Sequence, residues 1–155
     1  MYTVKGVRSH MGMDGVATYC NVYRDGKRVC EFIDEGNGGE TIVRFINDDE
    51  EAVAKQFCET NTKTKKNAKA YGWRGAWDIY VEDLCNDYDA AKEKKRMEKR
   101  IQKGTWFRVK GNTYGKGEWV VIKVPFSPEV HRRLQAKYGD KLGQILNLKP
   151  ELANT

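Results

Sequence analysis

Residues 2 to 46 read as sheet, in β-prone runs rich in apolar residues that polar and glycine-rich turns separate. Tyr2 to Val7 is a short strand candidate. Ala17-Thr18-Tyr19-Cys20-Asn21-Val22-Tyr23 and Val29-Cys30-Glu31-Phe32-Ile33 are β-prone and flank Arg24-Asp25-Gly26-Lys27. Asp25-Gly26 is the strongest short hairpin signal in the chain, because a tight hairpin turn needs residues that tolerate positive φ. Asp34-Glu35-Gly36-Asn37-Gly38-Gly39 marks a second turn, and Thr41 to Ile46 a strand beyond it. The pattern predicts an antiparallel meander of three or four strands.

A helical period follows. Asn47 followed by Asp48-Asp49-Glu50-Glu51 is a cap with acids in the first turn. Val53, Gln56 and Phe57 continue that helix to about Glu59. Residues 60 to 75 show no clear period, hold two glycines and read as a loop. Trp77, Val81, Leu84, Tyr88 and Ala91 then recur on one stripe over four turns, with Asp78 as a candidate cap. Beyond Ala91 the stripe fades into good helix formers with little to bury, and Gly104 ends the helix. Trp106 to Val109 and Glu118 to Val124 predict a second hairpin around Gly111-Asn112-Thr113-Tyr114-Gly115-Lys116-Gly117. Ser127-Pro128-Glu129 opens a helix that buries Val130, Leu134 and Tyr138 and stops at Gly139. A last short helix would bury Leu142, Ile145 and Leu146. The fold class is α+β, read as a single domain over 1–147 with a frayed tail over 148–155.

Charge changes this picture. Residues 1–61 carry 7 Lys and Arg against 11 Asp and Glu, and residues 62–155 carry 21 against 11. A −4 part joined to a +10 part implies an anionic partner. No apolar run approaches the length a membrane helix needs, and MYTVKGVRSHMG lacks the apolar centre of a secretory signal, so the expected setting is cytoplasmic. Cys20, Cys30, Cys58 and Cys85 are widely spaced, with no CxxC and no nearby His pair, which argues for reduced, buried thiols rather than zinc. With an even hairpin loop, Cys20 opposes Glu31 and Cys30 opposes Asn21, placing the two thiols on opposite faces.

Two basic segments are the candidate binding residues. Lys63, Lys65, Lys66, Lys69 and Arg74 lie around Tyr71 and Trp73 with no acid between Asn61 and Trp77. Charge suits phosphates and a flat ring suits bases. The alternative is a solvated connector whose Trp73 and Trp77 fold back into the core. Lys92 to Lys103, including Lys95, Arg96, Lys99 and Arg100, holds seven cations and two acids. It reads as a rod laid on phosphates or on an acidic protein, or as a helix supported by its own i,i+4 pairs such as Lys94 with Glu98.

Other motifs carry less. The acids and glycines of 34–40 fit an anion nest or a cation loop, but a hairpin needing positive φ at Gly and Asn accounts for them. The Gly111–Gly117 turn, flanked by Lys110 and Lys116, lacks the strand, GxxxxGK and helix order of a phosphate loop. His131 lies in a helical first turn beside Arg132 and Arg133. His10 falls in the loop after the first strand, beside Ser9. Neither histidine has a legible catalytic partner, so no catalytic residue, metal or cofactor is assigned.

Lys5-Gly6-Val7-Arg8-Ser9, Met13-Asp14-Gly15, Tyr23-Arg24-Asp25-Gly26-Lys27 and Asp34-Glu35-Gly36-Asn37-Gly38-Gly39-Glu40 together resemble small accessory proteins encoded by bacteriophages and related mobile elements. In those proteins a strand, a YRDGK-type turn and a DDGNGGE-type turn open the chain. The resemblance covers about the first 45 residues and carries no catalytic residues with it. It implies an accessory protein of a bacterial host cytoplasm, acting in host takeover, counter-defence or nucleic-acid handling. The sequence as a whole therefore points to a non-enzymatic protein that holds nucleic acid or a nucleotide on a basic face built from both segments. Two alternatives stay open: an inhibitor that binds a host or defence protein directly, and a small metal-dependent nuclease using Asp34, Glu35 or Glu40. An exposed edge strand would permit a homo-oligomer.

Overall fold

The computed structural model describes residues 1–111 and 119–148. The glycine-rich tip over 112–117, Glu118 and the tail over 149–155 lie outside the described residues. The fold is α+β: a four-stranded antiparallel sheet, a long helix, a second small sheet and a C-terminal helix. The chain divides into two compact units, Met1–Ala91 and Lys92–Thr155, and the division falls inside the long helix.

In the first unit the strands are β1 (Tyr2–Met11), β2 (Val16–Arg24), β3 (Lys27–Asp34) and β4 (Ile42–Phe45), paired in sequence order. Asp25 and Gly26 both take positive φ, 51° and 84°, so the Asp-Gly signal does what it predicts. Two bulges reset the register. Gly6, at φ 66°, shifts β1 so that Lys5 opposes Asn21 but Arg8 opposes Tyr19. A second, between Val22 and Tyr23, moves Cys20 opposite Phe32 and Val22 opposite Cys30. Cys20 and Cys30 therefore share the core face, which corrects the opposite-face expectation: one extra residue inverts side-chain parity. All four cysteines are buried and free, and the Cys20 and Cys85 sulfurs lie 3.5 Å apart.

Helix α1 (Asp48–Thr60) is capped by Asn47, whose side chain accepts from the Glu50 N–H, and it buries Ala54 and Cys58. The Arg24 guanidinium donates to Glu50 at 2.8 Å, fixing α1 to the end of β2. Helix α2 (Lys65–Lys103) begins twelve residues before the predicted stripe. The predicted loop over 60–75 is thus a tight turn followed by helix, broken only at Gly72 (φ 76°, ψ 168°). Lysines and small residues form helix readily but leave no hydrophobic period to read; of the first turns, Ala68 alone among the apolar residues packs against the core. The buried stripe is Ala76, Trp77, Val81 and Cys85, and it ends before Tyr88 and Ala91, which are exposed. Trp77 is 1% exposed and meets Tyr2, Phe45 and Tyr80 at ring distances of 5.0, 5.7 and 6.2 Å.

In the second unit β5 (Thr105–Val109) lies between β6 (Val120–Ile122) and β7 (Leu142–Ile145), both antiparallel to it. Residues 142–145 were expected to be helical, and they are a strand. Their i, i+3, i+4 spacing mimics a helix, but the segment is too short to sustain one, and the open edge of β5 supplies the hydrogen bonds instead. Helix α3 (Pro128–Tyr138) has the predicted Ser127 cap, Leu134 buried, and Gly139 at its end. Phe107, Leu134 and Ile145 form this unit's core.

Candidate functional site

The first basic segment is built on a rigid turn. The Asn61 side chain accepts from the Lys63 N–H at 2.9 Å, and the buried Thr64 hydroxyl donates to the Cys58 carbonyl at 3.0 Å. From there Lys63, Lys65, Lys66 and Lys69 are exposed, and Tyr71 is 70% exposed. The two residues beyond Gly72 are committed elsewhere. Trp73 is half-buried against Phe45 at 6.5 Å. The Arg74 guanidinium sits 4.9 Å over the Trp73 ring and pairs with Glu51. Of the seven residues read from the sequence here, four lysines and Tyr71 are exposed, while Trp77, the aromatic just beyond them, is core.

The second basic segment is the end of α2. Lys92 to Lys103 is exposed except for the half-buried Met97 and Ile101. At about 100° per residue, Lys92, Lys95, Arg96, Lys99, Arg100 and Lys103 fall within an arc of roughly 140°, opposite Met97 and Ile101. The row is about 16 Å long at 1.5 Å per residue. Arg96 pairs with Glu93 at 3.3 Å, and both side chains remain well exposed. The helix end is held within its own unit by Asn147. Its side-chain amide donates to the Ile101 and Gly104 carbonyls at 2.8 and 2.9 Å, and its Oδ1 accepts from the Trp106 N–H at 2.8 Å.

The structural division redraws the charge split. Lys92–Thr155 contains 16 Lys and Arg against 6 Asp and Glu, a net of +10, and Met1–Ala91 contains 12 against 16, a net of −4. Residues 62–91 are neutral as a block, five cations against five acids. The lysines of 63–69 thus belong to an acidic unit, and the 92–103 helix to a strongly basic one.

A third group was not legible in the sequence as a site. The solvent-facing side of the first sheet carries Lys5, Arg8, His10, Tyr19, Asn21, Tyr23, Arg28, Glu31 and Arg44, brought together by the two bulges. His10 lies inside β1 rather than in a loop, stacked on Tyr19 at 6.0 Å with the rings 10° from parallel. The Lys5 ammonium sits 4.4 Å over the Tyr23 ring. A cleft of about 590 Å³ opens there, lined by Gly6, Arg8, His10, Tyr19, Asn21 and Glu31 among others. Its residues are scattered over three strands, and only pairing across strands places them side by side. The one available signal was the polar half of the strand alternation.

The acidic 34–40 turn is a structural connection. The Gly36 and Gly39 N–H groups donate to the Asp34 and Asn37 side chains at 2.8 and 2.9 Å. Gly36 and Gly38 take positive φ, while Asn37 does not. Among the described residues no three His, Cys, Asp or Glu side chains converge as metal ligands, and no helix is long and apolar enough to cross a membrane. His131 is half-buried in the first turn of α3, 6.1 Å from the Phe126 ring. Compared with known proteins, the chain matches no family model, no curated protein and no solved structure.

Proposed function

We propose that this protein binds nucleic acid without transforming it, and that the basic end of α2 is the principal contact. The observation that carries this reading is the six-cation arc of Lys92, Lys95, Arg96, Lys99, Arg100 and Lys103 in a unit of net charge +10. A row of flexible ammonium and guanidinium groups matches the spaced charges of a phosphate backbone, and counterion release drives such binding. Lys63, Lys65, Lys66, Lys69 and Tyr71 are secondary contacts, because the acids of their own unit offset their field. The resemblance to phage accessory proteins supplies the setting for this reading: a bacterial cytoplasm, with counter-defence or host takeover as the role.

The test is fluorescence anisotropy with labelled oligonucleotides across a salt series. Affinity is expected to fall steeply with salt. Changing Lys95, Arg96, Lys99 and Arg100 together to Ala is expected to flatten the log–log salt slope by about 3 to 4, at roughly 0.7–0.9 per phosphate contact. Changing Lys63, Lys65 and Lys66 together to Ala is expected to weaken binding less. An unchanged slope in the helix variant would sink the assignment. A discrete host protein that stays bound in lysate pull-downs after nuclease treatment would replace nucleic acid with a protein partner.

A further inference from the structure

We infer that the solvent-facing side of the four-stranded sheet is a second binding surface, built to stack the unpaired bases of a single-stranded nucleic acid. This rests on the nucleic-acid reading above and adds to it both a site and a strand state.

Three observations converge on one face. The first is charge. Lys5, Arg8, Arg28 and Arg44 lie on it, and all four are exposed. Glu31 is the one acid among the face residues named above, and it pairs with Arg44 at 3.3 Å. A cationic face on a unit of net charge −4 is a local arrangement, not a by-product of composition. The second is aromatic geometry. Tyr19 and Tyr23 are four residues apart on β2, so their rings stand on the same side about 13 Å from each other, far enough to take separate bases. Each is already held by a neighbour, Tyr19 by His10 and Tyr23 by Lys5, so neither ring must be ordered by the ligand. The third is the cleft. It is lined by Gly6, which brings no side chain into it, and by Arg8, His10, Tyr19 and Asn21.

The strand state follows from the same features. A duplex keeps its base faces stacked on each other and offers only grooves and phosphates. Flat rings beside cations are useful to a strand whose bases can splay. The helix arc of the basic unit needs only phosphates, so the two surfaces ask different things of the ligand.

That difference makes the inference separable. The full chain is titrated against a fluorescein-labelled 12-mer of deoxythymidine and against an abasic backbone of the same length and charge. Stacking of one or two bases predicts that the intact strand binds roughly 10-fold or more tightly, since each stacked base contributes on the order of a fivefold to hundredfold gain. Tyr19→Ala is expected to remove the part of that preference its ring contributes, about fivefold or more, and to leave the abasic affinity unchanged, with an unaltered far-ultraviolet circular dichroism spectrum. Tyr23→Ala, at the second ring, repeats the comparison should Tyr19→Ala not fold, with a smaller base preference and an unchanged abasic affinity expected. Equal affinity for intact and abasic strands overturns this inference and leaves the proposed function standing. A base preference that survives both variants also overturns it. No binding to either strand removes both. Binding of deoxythymidine monophosphate alone, with the same dependence on Tyr19, replaces the strand with a nucleotide as the occupant.

Discussion

Gly36 lies where two turns of the first unit touch. A Cβ there would stand 2.6 Å from the Ala17 nitrogen and 2.9 Å from the Gly15 oxygen, and the residue holds φ at 61°. Gly12 is its counterpart, with the Gly36 carbonyl oxygen 2.5 Å from where its own Cβ would be. Gly36→Ala is therefore expected to destabilise the fold by about 1–3 kcal/mol or more, combining backbone strain with a backbone clash. Urea denaturation would show it as a lower midpoint. Asp78 presents a different residue-scale effect. Burial first, and then the Glu82 carboxylate, push its carboxyl up to about 6, with Glu40 and Asp34 adding to the rise and Arg74 opposing it. One of its oxygens is buried without a hydrogen-bond partner. A carboxyl raised in the folded state binds its proton more tightly there than when unfolded. The stability it contributes is complete below about pH 4 and is lost as pH rises through about 6. Asp78→Asn is expected to raise the thermal midpoint at pH 7.5 and to flatten its decline between pH 4 and pH 7. A variant that tracks the wild-type pH curve would contradict this.

The long helix has two special joints. At Gly72 the backbone takes φ 76° and ψ 168°, a region open in practice only to glycine. Glycine to alanine inside a regular helix gains about 1 kcal/mol. Here the sign is expected to reverse, with a loss of about 1–3 kcal/mol. No atom lies within 4 Å of a Cβ at Gly72, so that loss would be conformational and not steric. The second joint is the helix C-terminus, where Asn147 satisfies two carbonyls and one N–H in the basic unit. Asn147→Ala leaves three backbone groups without their partners and is expected to cost about 2–4 kcal/mol. Protection of the Trp106 amide from hydrogen exchange would fall with it. Both joints were partly legible. Gly104 announced the stop, but a loop was read where α2 begins, because residues 63–70 carry no apolar period. Asn147 read only as the last residue before the frayed tail, since nothing in its neighbours shows that its amide reaches back 46 residues to Ile101.

For the whole molecule, charge partition is the governing fact. The +10 and −4 units obtained from compactness match the +10 and −4 halves obtained from the sequence, although the boundary moves from residue 61 to residue 91. The agreement arises because the intervening block is neutral. Binding is therefore expected to be dominated by the 92–103 helix, and salt to weaken it more than any single substitution in residues 63–69. Anisotropy at 50 and 200 mM salt, compared with the Lys63, Lys65 and Lys66 triple-alanine variant, checks the ranking. A larger effect from that variant would shift the principal contact to the acidic unit.

The sequence by itself determined the fold class, the Asp25-Gly26 hairpin, the caps at Asn47 and Ser127, and the two basic segments. These depend on residues close in the chain: turn chemistry, capping side chains and local charge density. The tertiary structure decided what depends on parity and on distant partners. Two bulges, each a single residue, placed Cys20 and Cys30 on one face and aligned Arg8 with Tyr19. An open edge on β5 turned a helix-spaced segment into a strand. Packing against Phe45 withdrew Trp73 from the basic segment, and pairing across three strands assembled the sheet-face cleft. A side chain's face in a sheet flips with every residue of register, so no local pattern fixes it until the strands have met.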